Sequence, residues 1–120
     1  KANIRATDIE DFITTALEAG HDLGASTRAM ALMGSGIMHL TFTAFSSNME
    51  NPTIVDTLIK LREHTLQIGG NLIVETAPLE LKRDIDIWGP VGKIATIMKQ
   101  IKARFDPGGL LNPGRFVAGI

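Results

Sequence analysis

Apolar residues recur at helical intervals in three stretches of the chain, and between the first two a run alternates with polar residues instead. Ile9, Phe12, Ile13, Ala16 and Leu17 form the first helical stripe. Thr7-Asp8-Ile9-Glu10 ahead of it has capping-box spacing, and Gly20 offers a stop. From Thr27 the period changes. Arg28 to Met33 is an apolar-rich run, Gly34-Ser35-Gly36 breaks it, and Met38, Leu40, Phe42 and Ala44 then alternate with His39, Thr41 and Thr43. This pattern predicts a β-hairpin with a glycine-rich turn. Asn51-Pro52 sets a capping side chain before a proline suited to a first helical turn. Ile54, Val55, Leu58, Ile59, Leu61, Leu66 and Ile68 supply the apolar face of that second helix, and Gly69-Gly70 ends it. Asn71 to Ala77 is rich in β-branched and apolar residues, which predicts a third strand stopped by Pro78. Leu79 to Ile87 alternates poorly and reads as a connection, with Trp88-Gly89-Pro90 as a fixed corner. Ile94, Ile97, Met98, Ile101 and Phe105 mark one side of a last helix, with Lys93, Lys99, Lys102 and Arg104 on others.

The order α-β-β-α-β-α predicts an α+β fold, an antiparallel sheet with helices packed on one face. It is partially ferredoxin-like and lacks that unit's first strand. A strand lying upstream of Lys1 would leave an exposed sheet edge here, and such edges pair with other chains. A homodimer through that edge, by pairing or by exchange of an element, is the expectation.

With 120 residues, 44% of them hydrophobic, the chain is long enough for one compact domain, residues 1–120, and too short for two. The 12 Lys and Arg balance 13 Asp and Glu, so no global field draws in nucleic acid or an anionic membrane. The absence of cysteine excludes disulfides, thiolate metal ligands and a Cys nucleophile, and fits a reducing, cytoplasmic compartment. The apolar runs fall far short of the roughly 20 residues that span a bilayer, and no leader pattern opens the sequence.

Few residues present a constellation for chemistry. Gly34-x-Gly36 precedes a strand rather than opening a helix, so it reads as a turn and not a phosphate cradle. His21 and His64 lie near helix ends, where solvated capping accounts for them. Trp88 reads as a packing anchor. Glu10, Asp11, Glu75, Glu80, Asp84 and Asp86 read as solvated charges, several of them near Lys82 and Arg83. Ser46 to Glu50 reads as a polar loop, and no nucleophile elbow is present. No catalytic residue and no metal ligand set is assigned. Near the end, Asp106-Pro107-Gly108-Gly109 and Asn112-Pro113-Gly114 are two turns around Leu110 and Leu111, which predicts a terminal clamp with an apolar plug.

That tail, Ile101-Lys-Ala-Arg-Phe-Asp-Pro-Gly-Gly-Leu-Leu-Asn-Pro-Gly-Arg-Phe-Val-Ala-Gly-Ile120, together with Trp88-Gly-Pro90, resembles the closing segment of the FAD-linked oxidases with a vanillyl-alcohol-oxidase-type fold. Within them its wording is most similar to the FAD-binding subunits of glycolate oxidases (glycolate dehydrogenases). The resemblance implies a C-terminal cap-domain fragment whose FAD-binding domain lies upstream, with companion oxidase subunits as further partners. It also implies FAD in the full-length protein, none in the fragment, and 2-hydroxy acid oxidation by the whole enzyme at, or peripheral to, the inner face of a membrane. Asn112, Gly114 and Arg115 become the candidate contacts to FAD or its domain. Related 2-hydroxyacid dehydrogenases carry a metal-holding His-x-Gly-Asp-Gly-Asn-x-His signature. Gly34, Gly36 and His39 fall on it here, but Leu32 replaces the first histidine, and Ser35 and Ile37 replace the acid and the amide. His39 is accordingly read as a strand residue, because a lone imidazole makes a poor metal site. Two other readings stay open: a free-standing ferredoxin-like dimeric ligand-binding module, and a subunit-assembly module.

Overall fold

A computed structural model describes residues 1–46 and 49–120. Ser47 and Asn48, inside the expected polar loop, lie outside the described residues. Two compact units are present, Lys1–Ile87 and Trp88–Ile120.

The first unit is an α+β layer. Its strands are β1 (Ala2–Asn3), β2 (Ser26–Leu32), β3 (Ile37–Thr43) and β4 (Asn71–Leu72), and its helices are α1 (Ile9–Asp22), α2 (Asn51–Gln67) and α3 (Leu79–Asp84). The spatial order is β2-β3-β1-β4, with each neighbouring pair antiparallel. This is the arrangement of a ferredoxin-like unit with its first strand in place. The expectation of a missing first strand is therefore corrected: Ala2 and Asn3 supply it, in the middle of the sheet and not at its edge. Two residues carry no readable periodicity, which is why the alternation did not show it.

The stripes of α1 and α2 explain the main core. Ile9, Phe12 and Ala16 of α1 and Leu61 of α2 pack with Ala2, Met38 and Leu72 of the sheet and with Ile4. Alternation puts Leu40 and Phe42 on the same side as Met38, where they join this cluster. A second cluster joins Leu23, Ile54, Val55, Leu81 and Ile85. It shows why 79–84 is helical: a short turn suffices to bury Leu81, although six residues are too few to display a helical period.

Several local expectations change. No side-chain cap opens α1; Ala6–Asp8 forms a 3-10 turn, and Asp8 instead accepts a 2.6 Å hydrogen bond from Arg5 Nε. Gly20 lies inside α1, where a Cβ would collide with Thr27, and the helix ends two residues later with Gly24 at φ +57°. Helix α2 starts at Asn51 with Glu50 as its cap residue, and the glycine stop is realised at Gly69, φ +77°. The third expected strand narrows to Asn71–Leu72, after which Ile73 N–H donates to Lys1 O at 2.9 Å and Val74 N–H to Ile87 O at 2.8 Å. The hairpin turn forms as expected: Ser35 and Gly36 N–H both donate to Leu32 O.

In the second unit, α4 (Ile94–Phe105) precedes the tail. No residue of α4 is buried, so its apolar side, including Ile97, Ile101 and Phe105, is exposed. Among the described residues no helix is long and apolar enough to cross a membrane.

Gly36 has φ +66°, and a Cβ there would meet Ile4 O, a backbone atom that cannot swing away. Gly34 has open space and no positive φ. Gly36→Ala should destabilise the first unit by about 2 kcal/mol, and Gly34→Ala should change it by less than about 0.5 kcal/mol. Urea unfolding midpoints of the two variants check this pair.

Candidate functional site

The second unit builds its tail around one carboxylate. Pro107 cannot extend α4, so the chain turns at Asp106, whose N–H donates to Lys102 O at 2.8 Å. Gly109, at φ +62°, closes the turn by donating its N–H to Asp106 O at 3.0 Å. This brings the next two N–H groups onto the Asp106 side chain: Leu110 N donates to Oδ1 and Leu111 N to Oδ2, each at 2.9 Å. Lys102, one helical turn back, pairs its ammonium with Asp106 Oδ2 and donates to Leu111 O. These donors, Lys102 first and then the two amides, hold the carboxyl well below its ordinary 3.8, at about 2.

The expected clamp is thus present, but not its plug. Leu110 and Leu111 are 84% and 64% exposed, so the segment keeps its shape through the carboxylate and not through apolar burial. The sequence places Asp106 in the turn without showing that its side chain organises it. An Asp ahead of Pro-Gly-Gly, with a Lys four residues earlier, was the signal available.

Asn112 takes a left-handed conformation, φ +46°, and Gly114 follows at φ +71°. Arg115 N–H donates to Asn112 O at 3.2 Å, closing the second turn. Phe116 then sets its ring edge against Trp88, with centroids 5.3 Å apart and planes at 64°, which bears out Trp88 as a packing residue. Phe116 N–H donates to Ile120 O at 3.0 Å, and the 3-10 turn Val117–Gly119 ends the chain. A cavity of about 400 Å³ is lined by Lys102, Leu111, Asn112, Arg115, Phe116 and Ile120. The structure therefore brings Asn112 and Arg115 to one concavity, while Gly114 shapes the turn between them without lining it.

In the first unit, His39 Nδ1 lies 3.3 Å from Glu75 Oε2, and Lys1 Nζ lies 3.6 Å from Glu75 Oε1. Glu75 is thus paired, a juxtaposition that its distance in sequence concealed. Among the described residues no three His, Cys, Asp or Glu side chains come together at a metal-holding spacing. His64 closes α2 and stacks edge-on against Phe12, with centroids 5.6 Å apart. Arg62, in the C-terminal half of α2, is buried and donates from Nε to Leu72 O at 3.1 Å. Burial pushes its guanidinium below its ordinary value, and the charge of Asp86 opposes that shift.

Because the Asp106 pKa is depressed, its contribution is complete above the ordinary carboxylate value and is lost as pH falls through about 2. The Leu110 and Leu111 amide proton shifts should hold steady down to pH 4 and move with a midpoint near pH 2. An NMR titration checks this, and Asp106→Asn should abolish the step.

Comparison with curated proteins and with solved structures gives no match. Residues 88–116 match the family model described as FAD linked oxidases, C-terminal domain. That span takes in Trp88, the whole of α4, both proline-glycine turns and Arg115, and it supports this segment as the C-terminal part of an FAD-dependent oxidoreductase.

Proposed function

We propose that the chain is the C-terminal cap portion of an FAD-dependent oxidoreductase that converts a 2-hydroxy acid, such as glycolate, to the 2-oxo acid. The observation that carries this reading is the family match over residues 88–116, coincident with the segment whose turns are fixed by Asp106 and Asn112. The wording of the tail, Gly-Arg-Phe-Val-Ala-Gly-Ile, supports the glycolate-oxidase branch. Its partners in this reading are an upstream FAD-binding domain and companion oxidase subunits.

The residues suit contact with part of a dinucleotide, not its full enclosure. A cavity of about 400 Å³ is at the small end of ligand sites. Its lining combines two cations, Lys102 and Arg115, with the Asn112 amide and apolar Leu111, Phe116 and Ile120. Lys102 commits two of its three donors to Asp106 and Leu111 O, so Arg115 and Asn112 are the donors with the most capacity for an anionic or carbonyl oxygen. FAD, when bound, would supply the two-electron acceptor for oxidation of the 2-hydroxy acid, and Asn112 and Arg115 are the residues that would hold part of it. This chain's role is to orient that group and to exclude water. The exposed Ile97, Ile101 and Phe105 of α4 give the second unit an apolar surface suited to covering against a protein module.

The test expresses the chain alone and, separately, joined to its FAD module with the companion subunits. The chain alone should lack visible flavin absorbance. The assembly should bind flavin and reduce an artificial acceptor with glycolate as donor. Arg115→Ala in the assembly should weaken flavin retention or turnover roughly tenfold or more, the loss of one charge-assisted hydrogen bond. Flavin held tightly by the isolated chain, or unchanged retention and turnover in the variant, would contradict the reading.

A further inference from the structure

The sheet of the first unit contains a slot. Ile4 N–H donates to Gly36 O at 2.9 Å, and Ala2 stands opposite Met38 two residues along. Antiparallel ladders alternate, so on β3 the next backbone groups directed to this side belong to Leu40 and Phe42. β1 does not reach them. On the opposite flank Lys1 and Ile73 exchange hydrogen bonds, Ile73 N to Lys1 O at 2.9 Å and Lys1 N to Ile73 O at 2.8 Å. The same alternation directs the next backbone groups there, those of Glu75, into the slot. Val74, between them, faces away and donates to Ile87 O.

The space between these two rails is a groove of about 680 Å³. Its walls are the β3 stretch from His39 to Thr43 and the segment from Leu72 to Ala77, and its floor includes Ile54, Leu58 and Leu61 of α2. Backbone groups of Leu40, Phe42 and Glu75 that lack a strand partner among the described residues, set over an apolar floor, are the chemistry of a strand site, not of a small-molecule pocket.

We infer that this slot is the seat of an extended strand that continues β1 on the amino side of Lys1, antiparallel to both β3 and the Ile73–Glu75 segment. Three observations select this occupant. The ladder of β1 already fixes the register, so an added residue enters pairing without a shift. The direction is fixed as well, because β1 points along the groove. The floor fixes the pattern: Ala2 faces the core opposite Met38, so the first and third added residues, opposite Leu40 and Phe42, face α2 and are apolar, while the second, opposite Thr41, faces the other side and is polar.

The test compares three forms of the chain: unextended, carrying Val-Thr-Val before Lys1, and carrying Gly-Ser-Gly there. Amide hydrogen exchange is read at Leu40, Phe42 and Glu75. Val-Thr-Val should raise protection at all three by about a hundredfold and Gly-Ser-Gly by far less. Equal exchange in all three forms would overturn the inference. Protection in the unextended chain that grows with protein concentration would also overturn it, by showing that a second copy fills the slot. Glu75 carries the register: protection at Leu40 and Phe42 without protection at Glu75 would mean that the added strand pairs on one wall only, and would reject the two-walled seat.

Discussion

Two residues, Ala2 and Asn3, join the halves of the sheet, with Met38 and Ile37 on one flank and Leu72 and Asn71 on the other. Such a short central strand must lie close to its neighbours, and two glycines permit it. A Cβ on Gly36 would strike the Ile4 carbonyl, and one on Gly70 would strike the Asn3 carbonyl. The constraint is therefore backbone approach on both flanks of the first strand's C-terminal end, from the hairpin on one side and from the turn after α2 on the other. Once it is satisfied, Ala2 is wholly enclosed, as are its cross-strand partner Met38 and Phe12 of α1.

The attachment of α2 uses polar groups as well as apolar ones. Arg62, buried, gives its Nε to the Leu72 carbonyl, and the fully buried Thr65 hydroxyl donates to Arg62 O at 2.7 Å. A buried guanidinium destabilises unless its donors are used, and Asp86 supplies an opposing charge. Leu61 on the same helix contributes apolar burial, so the helix is held by area and its register against β4 by a directed hydrogen bond.

What the sequence displayed follows from how each element is stabilised. Phe12 and Ala16 on α1, and Met38, Leu40 and Phe42 on β3, announce their elements because repeated burial imposes a period on them. The first strand and α3 are too short to repeat, and their existence depends on neighbours distant in sequence. Gly20 reads as a stop on local grounds, yet it is there to let Thr27 pass close to α1, a tertiary requirement that propensity does not contain. At the tail the two turns were legible from Pro and Gly. The exposure of the leucines between them was not, because a carboxylate accepting two main-chain N–H groups removes the need for their burial.

That last substitution of causes bears on function. A tail shaped by apolar packing would use its leucines to hold itself together and would have little apolar surface left over. Here Asp106, Lys102 and the turn glycines hold the backbone with short-range polar bonds, and the Asn112 turn closes independently through Arg115 N–H. Leu110, Leu111 and Phe105 are left outward, alongside the outward face of α4. An apolar surface carried on a backbone already fixed by hydrogen bonds loses little further conformational freedom when covered, so the ordering cost of docking is small and the burial gain is largely retained. The same polar framework makes the segment's shape sensitive to Asp106 and insensitive to the identity of the exposed leucines, which separates the residues that set its shape from those that form its outward apolar surface.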